Sequence, residues 1–129
     1  PCYNKRRFGK SIASAKPGDI IHLAPGEFSI PDINVEGISL VGAVKEDGSP
    51  ASSVAFYQDS NGDIDTLKIT KNNVSISNIE FVAGDSVNGY TIIYVAGLNV
   101  NINNCTFSAD TNINCLHFVG SGKISNCTF

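Results

Sequence analysis

The chain has 129 residues, of which 16% are charged, with a formal net charge of −3 at pH 7. That length gives one domain or part of one, large enough for a hydrophobic core. Lys and Arg are dispersed without a basic stripe, which speaks against nucleic acid as a partner; no apolar run reaches the length of a membrane span, and no signal peptide is visible. Val, Ile, Phe and Thr dominate the apolar runs, which argues for β structure. A start at Pro1 and a sequence without methionine read as a processed product or a piece of a longer chain.

Residues 5–17 carry Phe8, Ile12 and Ala15 at helical spacing, and Pro17-Gly18 stops the helix they predict. Beyond residue 18 the period switches to two. Ile21/Leu23, Ile33/Val35, Ile38/Leu40, Val54/Phe56, Leu67/Ile69, Val74/Ile76, Ile93/Val95 and Val100/Ile102 are apolar pairs two residues apart. Turn clusters such as Pro25-Gly26, Asp47-Gly48-Ser49-Pro50 and Ser60-Asn61-Gly62-Asp63 separate them.

The strands fall into rungs of three. The first complete rung combines Ile33–Val35, Ile38–Val41 and Ser53–Tyr57. The next three are Thr66–Thr70, Val74–Ser77 and Ile79–Phe81; then Tyr90–Val95, Val100–Asn103 and Cys105–Phe107; then Leu116–Val119, Lys123–Ser125 and Cys127–Phe129. The phrases ending at Phe81, Phe107 and Phe129 repeat one another, so Asn78, Asn104 and Asn126 recur at intervals of 26 and 22 residues. Periods of that size mark stacked units, none of which buries its apolar face alone. Each asparagine bends the chain through a left-handed residue between two strands, and Gly42 takes that place in the earlier rung. Stacked amides would hydrogen-bond up the axis, and Phe81, Phe107 and Phe129 would form an interior aromatic column. The strand after residue 114 has two registers open: Leu116/Phe118 inward, or His117/Val119 inward.

A three-sided coil with a left-handed asparagine turn behind an N-terminal helix resembles the right-handed parallel β-helix of the pectin-lyase-like superfamily. The phrase Ser11-Ile-Ala-Ser-Ala-Lys-Pro-Gly-Asp-Ile-Ile-His-Leu-Ala-Pro-Gly-Glu-Phe28 is similar to the opening of many members, with Ile38-Ser-Leu-Val-Gly42 as the next rung. The likeness spans the chain from residue 8. It implies an all-β, right-handed, three-sided solenoid over 19–129 with a capping helix over about 5–18. The superfamily includes lyases, hydrolases, esterases, epimerases, tailspikes and adhesins, so the fold alone does not give the activity.

In polysaccharide-cleaving members the sugar lies along the first strand of each rung. With Leu67/Ile69 and Ile93/Val95 inward, Lys68 and Tyr94 face outward, with His117 in the next rung and Asn34 in the rung before. A general base and a cation are what β-elimination from a uronic acid requires, which makes Lys68 and His117 the catalytic candidates and all four the candidate glycan contacts. The enzymes add acidic calcium ligands and a catalytic Arg or Lys on this face, whereas the arginines here are Arg6 and Arg7. The segment 59–65 offers Asp59, Asn61, Asp63 and Asp65 as oxygen ligands for Ca²⁺. Counting from Asp59, Ile64 and Thr70 stand where an EF-hand loop needs Gly and Glu, so the segment reads as a solvated turn. No other cofactor is expected. His22 reads as an outward residue of the first rung.

Four cysteines stand at 2, 105, 115 and 127 without a CxxC pair, so thiolate zinc is not expected. Cys105 and Cys127 share one slot of successive rungs and read as buried thiols; a bridge between stacked parallel side chains fits disulfide torsion poorly. Asn73, Asn104 and Asn126 head glycosylation sequons; a ladder role competes with a sugar at Asn104 and Asn126, leaving Asn73, in the loop 71–73, as the one credible acceptor, in a eukaryotic secretory setting. The expected function is a non-catalytic extracellular, cell-surface or virion-surface module. It would bind glycan or a like subunit, with further rungs or another chain over its C-terminal end. The alternative is the N-terminal part of a polysaccharide-active enzyme acting on uronic-acid polymers.

Overall fold

A computed structural model of the chain describes residues 14–28, 32–56, 66–83, 91–109 and 114–129. These residues form the strands β1 (Ile20–His22), β2 (Gly26–Phe28), β3 (Ser39–Val41), β4 (Ser52–Phe56), β5 (Leu67–Ile69) and β6 (Ser75–Ser77). They continue with β7 (Ile79–Ala83), β8 (Thr91–Val95), β9 (Val100–Asn103), β10 (Thr106–Ala109), β11 (Asn114–Phe118) and β12 (Gly122–Ser125). No helix occurs among the described residues. Of the expected capping helix, residues 5–13 lie outside the described residues. Its visible end corrects the expectation: 14–18 is turn, because Pro17 lacks a donor and Gly18 takes a φ of 92°, which swings the chain into β1.

Three sheets contain all the strands, in the orders β1-β3-β6-β9-β12, β2-β4-β7-β10 and β5-β8-β11; we call them sheets 1, 2 and 3. Every named pairing is parallel. From β3 onward the chain visits sheets 1, 2 and 3 in fixed rotation. A parallel bridge from Ile33 to Ile69 extends sheet 3 to an earlier layer, and one from Thr106 to Thr128 extends sheet 2 to the last. The result is a stack of layers, with three strands each in the β5–β7 and β8–β10 layers, consistent with a parallel β-helix or solenoid.

The register carries the alternation of the sequence directly into columns. Leu40, Ile76, Ile102 and Ile124 line up across sheet 1, Val54, Phe81 and Phe107 across sheet 2, and Ile69, Val95 and Phe118 across sheet 3. β-Branched and aromatic residues suit this pleated, one-side-buried surface, and the core runs up the space between the sheets. The open register is decided for β11: Leu116 pairs with Ile93 and packs on the core, so His117 and Val119 face out. Ser52, the one buried polar residue among those described, accepts from the Ala43 amide at 2.9 Å and donates to the Ala24 carbonyl at 2.8 Å, which satisfies its hydroxyl.

Asparagine makes the corners. Asn78, Asn104 and Asn126 have φ of 62°, 50° and 52° between sheets 1 and 2, the left-handed region that asparagine tolerates. Asn104 Nδ2 donates to Asn78 Oδ1 at 3.0 Å, and Asn78 Nδ2 to the Gly42 carbonyl at 3.2 Å. The ladder bends at its last member, because Asn126 Nδ2 donates to Asn103 Oδ1 at 3.0 Å. Gly42 corrects the expectation in a second way. Its φ is not in the positive region; a Cβ there would lie 2.0 Å from the Asn78 carbonyl oxygen, so glycine serves close stacking rather than left-handed geometry. The insertion after it closes through an antiparallel bridge between Val44 and Pro50. Asp47 turns it, its carboxyl held below the usual range first by the Ser49 hydroxyl and then by the Ser49 amide.

A second corner column, between sheets 3 and 1, was not expected. Gly37, Asn73 and Asn99 have φ of 75°, 59° and 55°. Asn99 Nδ2 donates to Asn73 Oδ1 at 2.8 Å, Asn73 Nδ2 to Glu36 Oε1 at 3.3 Å, and the Asn99 amide to Ser121 Oγ at 3.1 Å.

Candidate functional site

The outer face of sheet 3 brings most of the candidate site together. β5 presents Lys68 between buried Leu67 and Ile69, and β8 presents Tyr94 between buried Ile93 and Val95. The register aligns Lys68 with Tyr94 and Tyr94 with His117. Lys68 and His117 are exposed and Tyr94 is half-buried. The Tyr94 and His117 rings meet edge to face, with centroids 5.2 Å apart and planes at 83°, a geometry favoured by the ring quadrupoles.

Asn34 does not join the column. Ile33 pairs with Ile69, which places Asp32 rather than Asn34 beside Lys68; Asp32 Oδ1 accepts from the Lys68 amide at 3.0 Å. The face therefore reads Asp32, Lys68, Tyr94, His117: carboxylate, ammonium, phenol, imidazole. These groups supply donors and acceptors to a polyhydroxyl ligand, and the tyrosine adds an apolar ring surface. Lys68 and His117 flank Tyr94 from opposite sides, with backbones about two strand spacings, roughly 9.6 Å, apart. Acid–base partners need hydrogen-bond reach of a shared reacting group, so in this arrangement the two residues address different positions of a ligand.

The proposed calcium ligands Asp59, Asn61, Asp63 and Asp65 lie outside the described residues. Among the described residues, no group of three or more His, Cys, Asp or Glu is close enough to hold a metal ion. His22 is exposed at the end of β1 and pairs with Val41.

Phe81 and Phe107 stack at 5.2 Å and 18°, Phe107 and Phe129 at 4.8 Å and 6°; Phe56 adds a tilted contact to Phe81 at 6.4 Å. Cys105, Cys115 and Cys127 are free thiols. Burial pushes the Cys105 thiol up to about 12 and raises that of Cys115, because a thiolate loses hydration there.

At the end of the stack a mostly apolar depression of about 480 Å³ is lined by Asn114, Cys115, Leu116, Phe118, Ile124 and Phe129. Its residues are interior positions of the last layer. Among the described residues, no helix is long and apolar enough to cross a membrane. Compared with known proteins, the chain matches no family model, no curated protein and no solved structure.

Proposed function

We propose that this chain is a non-catalytic module of an extracellular, cell or virion surface, folded as a right-handed, three-sided parallel β-helix of the pectin-lyase-like kind. It acts as a rigid spacer that holds glycan along the outer face of sheet 3 and meets a further coil or like subunit through its last layer. The observation that carries the binding role is the aligned column Lys68–Tyr94–His117 with its edge-to-face ring pair. Fixed rotation of the chain through three parallel sheets supports the helix, and right-handedness is the usual sense for crossovers between parallel strands. The apolar lining at Phe118, Ile124 and Phe129 supports association there.

The test is binding of the chain to a panel of neutral and uronic-acid polysaccharides, with turnover followed by release of reducing ends and unsaturated products, with and without calcium. Binding without turnover is expected, with Tyr94→Ala weakening it about tenfold, near 1.4 kcal/mol. A second reading, part of a polysaccharide lyase, is favoured by the cation and imidazole on one face. Turnover abolished by both Lys68→Ala and His117→Ala would select it, and no binding to any glycan would end both.

A further inference from the structure

Three sequons compete for any glycosyltransferase this chain meets, and their side-chain nitrogens are not equivalent. A carboxamide nitrogen has two hydrogens. N-glycosylation replaces one of them. The Nδ2–C1 bond to the sugar forms, and the C1–O bond to a lipid-linked pyrophosphate breaks. The pyrophosphate leaves with the bonding pair, and the amide proton passes to a base of the transferase. A glycosylated asparagine therefore keeps one donor and its acceptor Oδ1.

Asn104 has no donor to give up. Its Nδ2 donates both to the Gly48 carbonyl at 2.9 Å and to Asn78 Oδ1 at 3.0 Å, from a half-buried corner. A sugar there would break the ladder or the contact to the 44–50 insertion. Asn73 differs on each count. It is exposed, and among the described residues its Nδ2 makes one hydrogen bond, to Glu36 Oε1 at 3.3 Å. Its ladder role runs through Oδ1, which accepts from Asn99 Nδ2 at 2.8 Å, and that oxygen survives glycosylation. Ser75, the hydroxyl residue of the sequon, makes no side-chain hydrogen bond with the described residues, while its amide donates to the Ile38 carbonyl. Asn126 also makes one Nδ2 bond, to Asn103.

We infer that Asn73 is an N-glycan attachment site, compatible with the folded stack, and that Asn104 is barred by its hydrogen bonds although its sequon is intact. The inference is independent of glycan binding at sheet 3: it concerns a sugar carried covalently at a different corner.

The experiment is secretion of the full chain from a eukaryotic host in a Thr128→Ala background. That change removes the Asn126 sequon and leaves Asn126 and its hydrogen bond in place. Amidase release of the glycan in ¹⁸O water converts an occupied asparagine to labelled aspartate, which peptide mapping locates. The expected result is label at Asn73 and none at Asn104 in the folded, secreted protein, with the added mass abolished by Ser75→Ala. Amidase treatment of the Thr128→Ala chain with Ser75 in place gives the same loss of mass without depending on the folding of the Ser75→Ala variant. Secreted, folded protein with Asn73 unmodified, or with Asn104 occupied, overturns the proposal.

Discussion

The third and fourth occurrences of the coil can be set side by side, because their sequences are nearly the same. Val100-Asn-Ile-Asn-Asn-Cys-Thr-Phe107 and Gly122-Lys-Ile-Ser-Asn-Cys-Thr-Phe129 share strand, corner and aromatic. In the first, Ile102 is 0% exposed and Phe107 5%; in the second, Ile124 is 41% exposed and Phe129 64%. The residues match in type and in register. What differs is a neighbouring layer on one side or on both. Burial in this fold is conferred by stacking and not by the strand itself, the behaviour of a quasi-one-dimensional array.

Three measurements press on that contrast. The largest effect belongs to the aromatic column. Phe81 is fully buried between Phe56 and Phe107, so Phe81→Ala is expected to cost about 3–5 kcal/mol in denaturant unfolding. Phe129→Ala, on the same column, should cost less than about 1 kcal/mol. Equal losses would mean that the last layer is as well covered as the middle one.

The corner amides come next. Glycine keeps the left-handed backbone and removes only the side chain, so Asn104→Gly is expected to cost about 2 kcal/mol, two hydrogen bonds at about 1 each. Asn126→Gly should cost about half as much, since Asn126 makes one such bond. A larger loss at Asn126 would show the final turn to be the stronger point.

The thiols give the smallest and most local test. Cys105 is buried and its thiol is pushed up to about 12 by desolvation, whereas an unfolded cysteine ionises near 9.0. Between these values the native chain holds the proton that the unfolded chain has lost, so stability falls as pH rises from 9 toward 12. Cys105→Ala should flatten that limb of the pH profile. At pH 8 an aromatic disulfide reagent should label half-buried Cys127 at least tenfold faster than Cys105; equal rates would contradict the burial gradient.

Much of this was legible in the sequence, for particular reasons. Asn78, Asn104 and Asn126 marked the corners because few residues accept a positive φ, and the period-two pairs fixed which residues face inward. Gly42 misled because glycine answers equally to a left-handed turn and to a close backbone approach, and sequence does not separate the two. Asn34 misled because the sheet 3 segment of its layer is a single bridging residue, Ile33. The pair Ile33/Val35 gave no sign of which member would face Ile69. The second corner column did have a signal. Asn73-Val74 and Asn99-Val100 stand 26 residues apart, the same interval as Asn78 and Asn104, but each asparagine abuts a strand-forming valine, whose β preference masks the turn signal. On the candidate site, alternation placed Lys68 and Tyr94, while His117 waited on a register that only packing could decide.

One contact breaks the nearest-neighbour rule. Gly48, in the loop between β3 and β4, accepts from Asn104 Nδ2 and so reaches past the β5–β7 layer to the one beyond. A stack tied only to adjacent members can peel from its end one member at a time. A clasp that skips a layer makes three of them cooperative, so the layers that Gly48 and Asn104 join should melt as a single block.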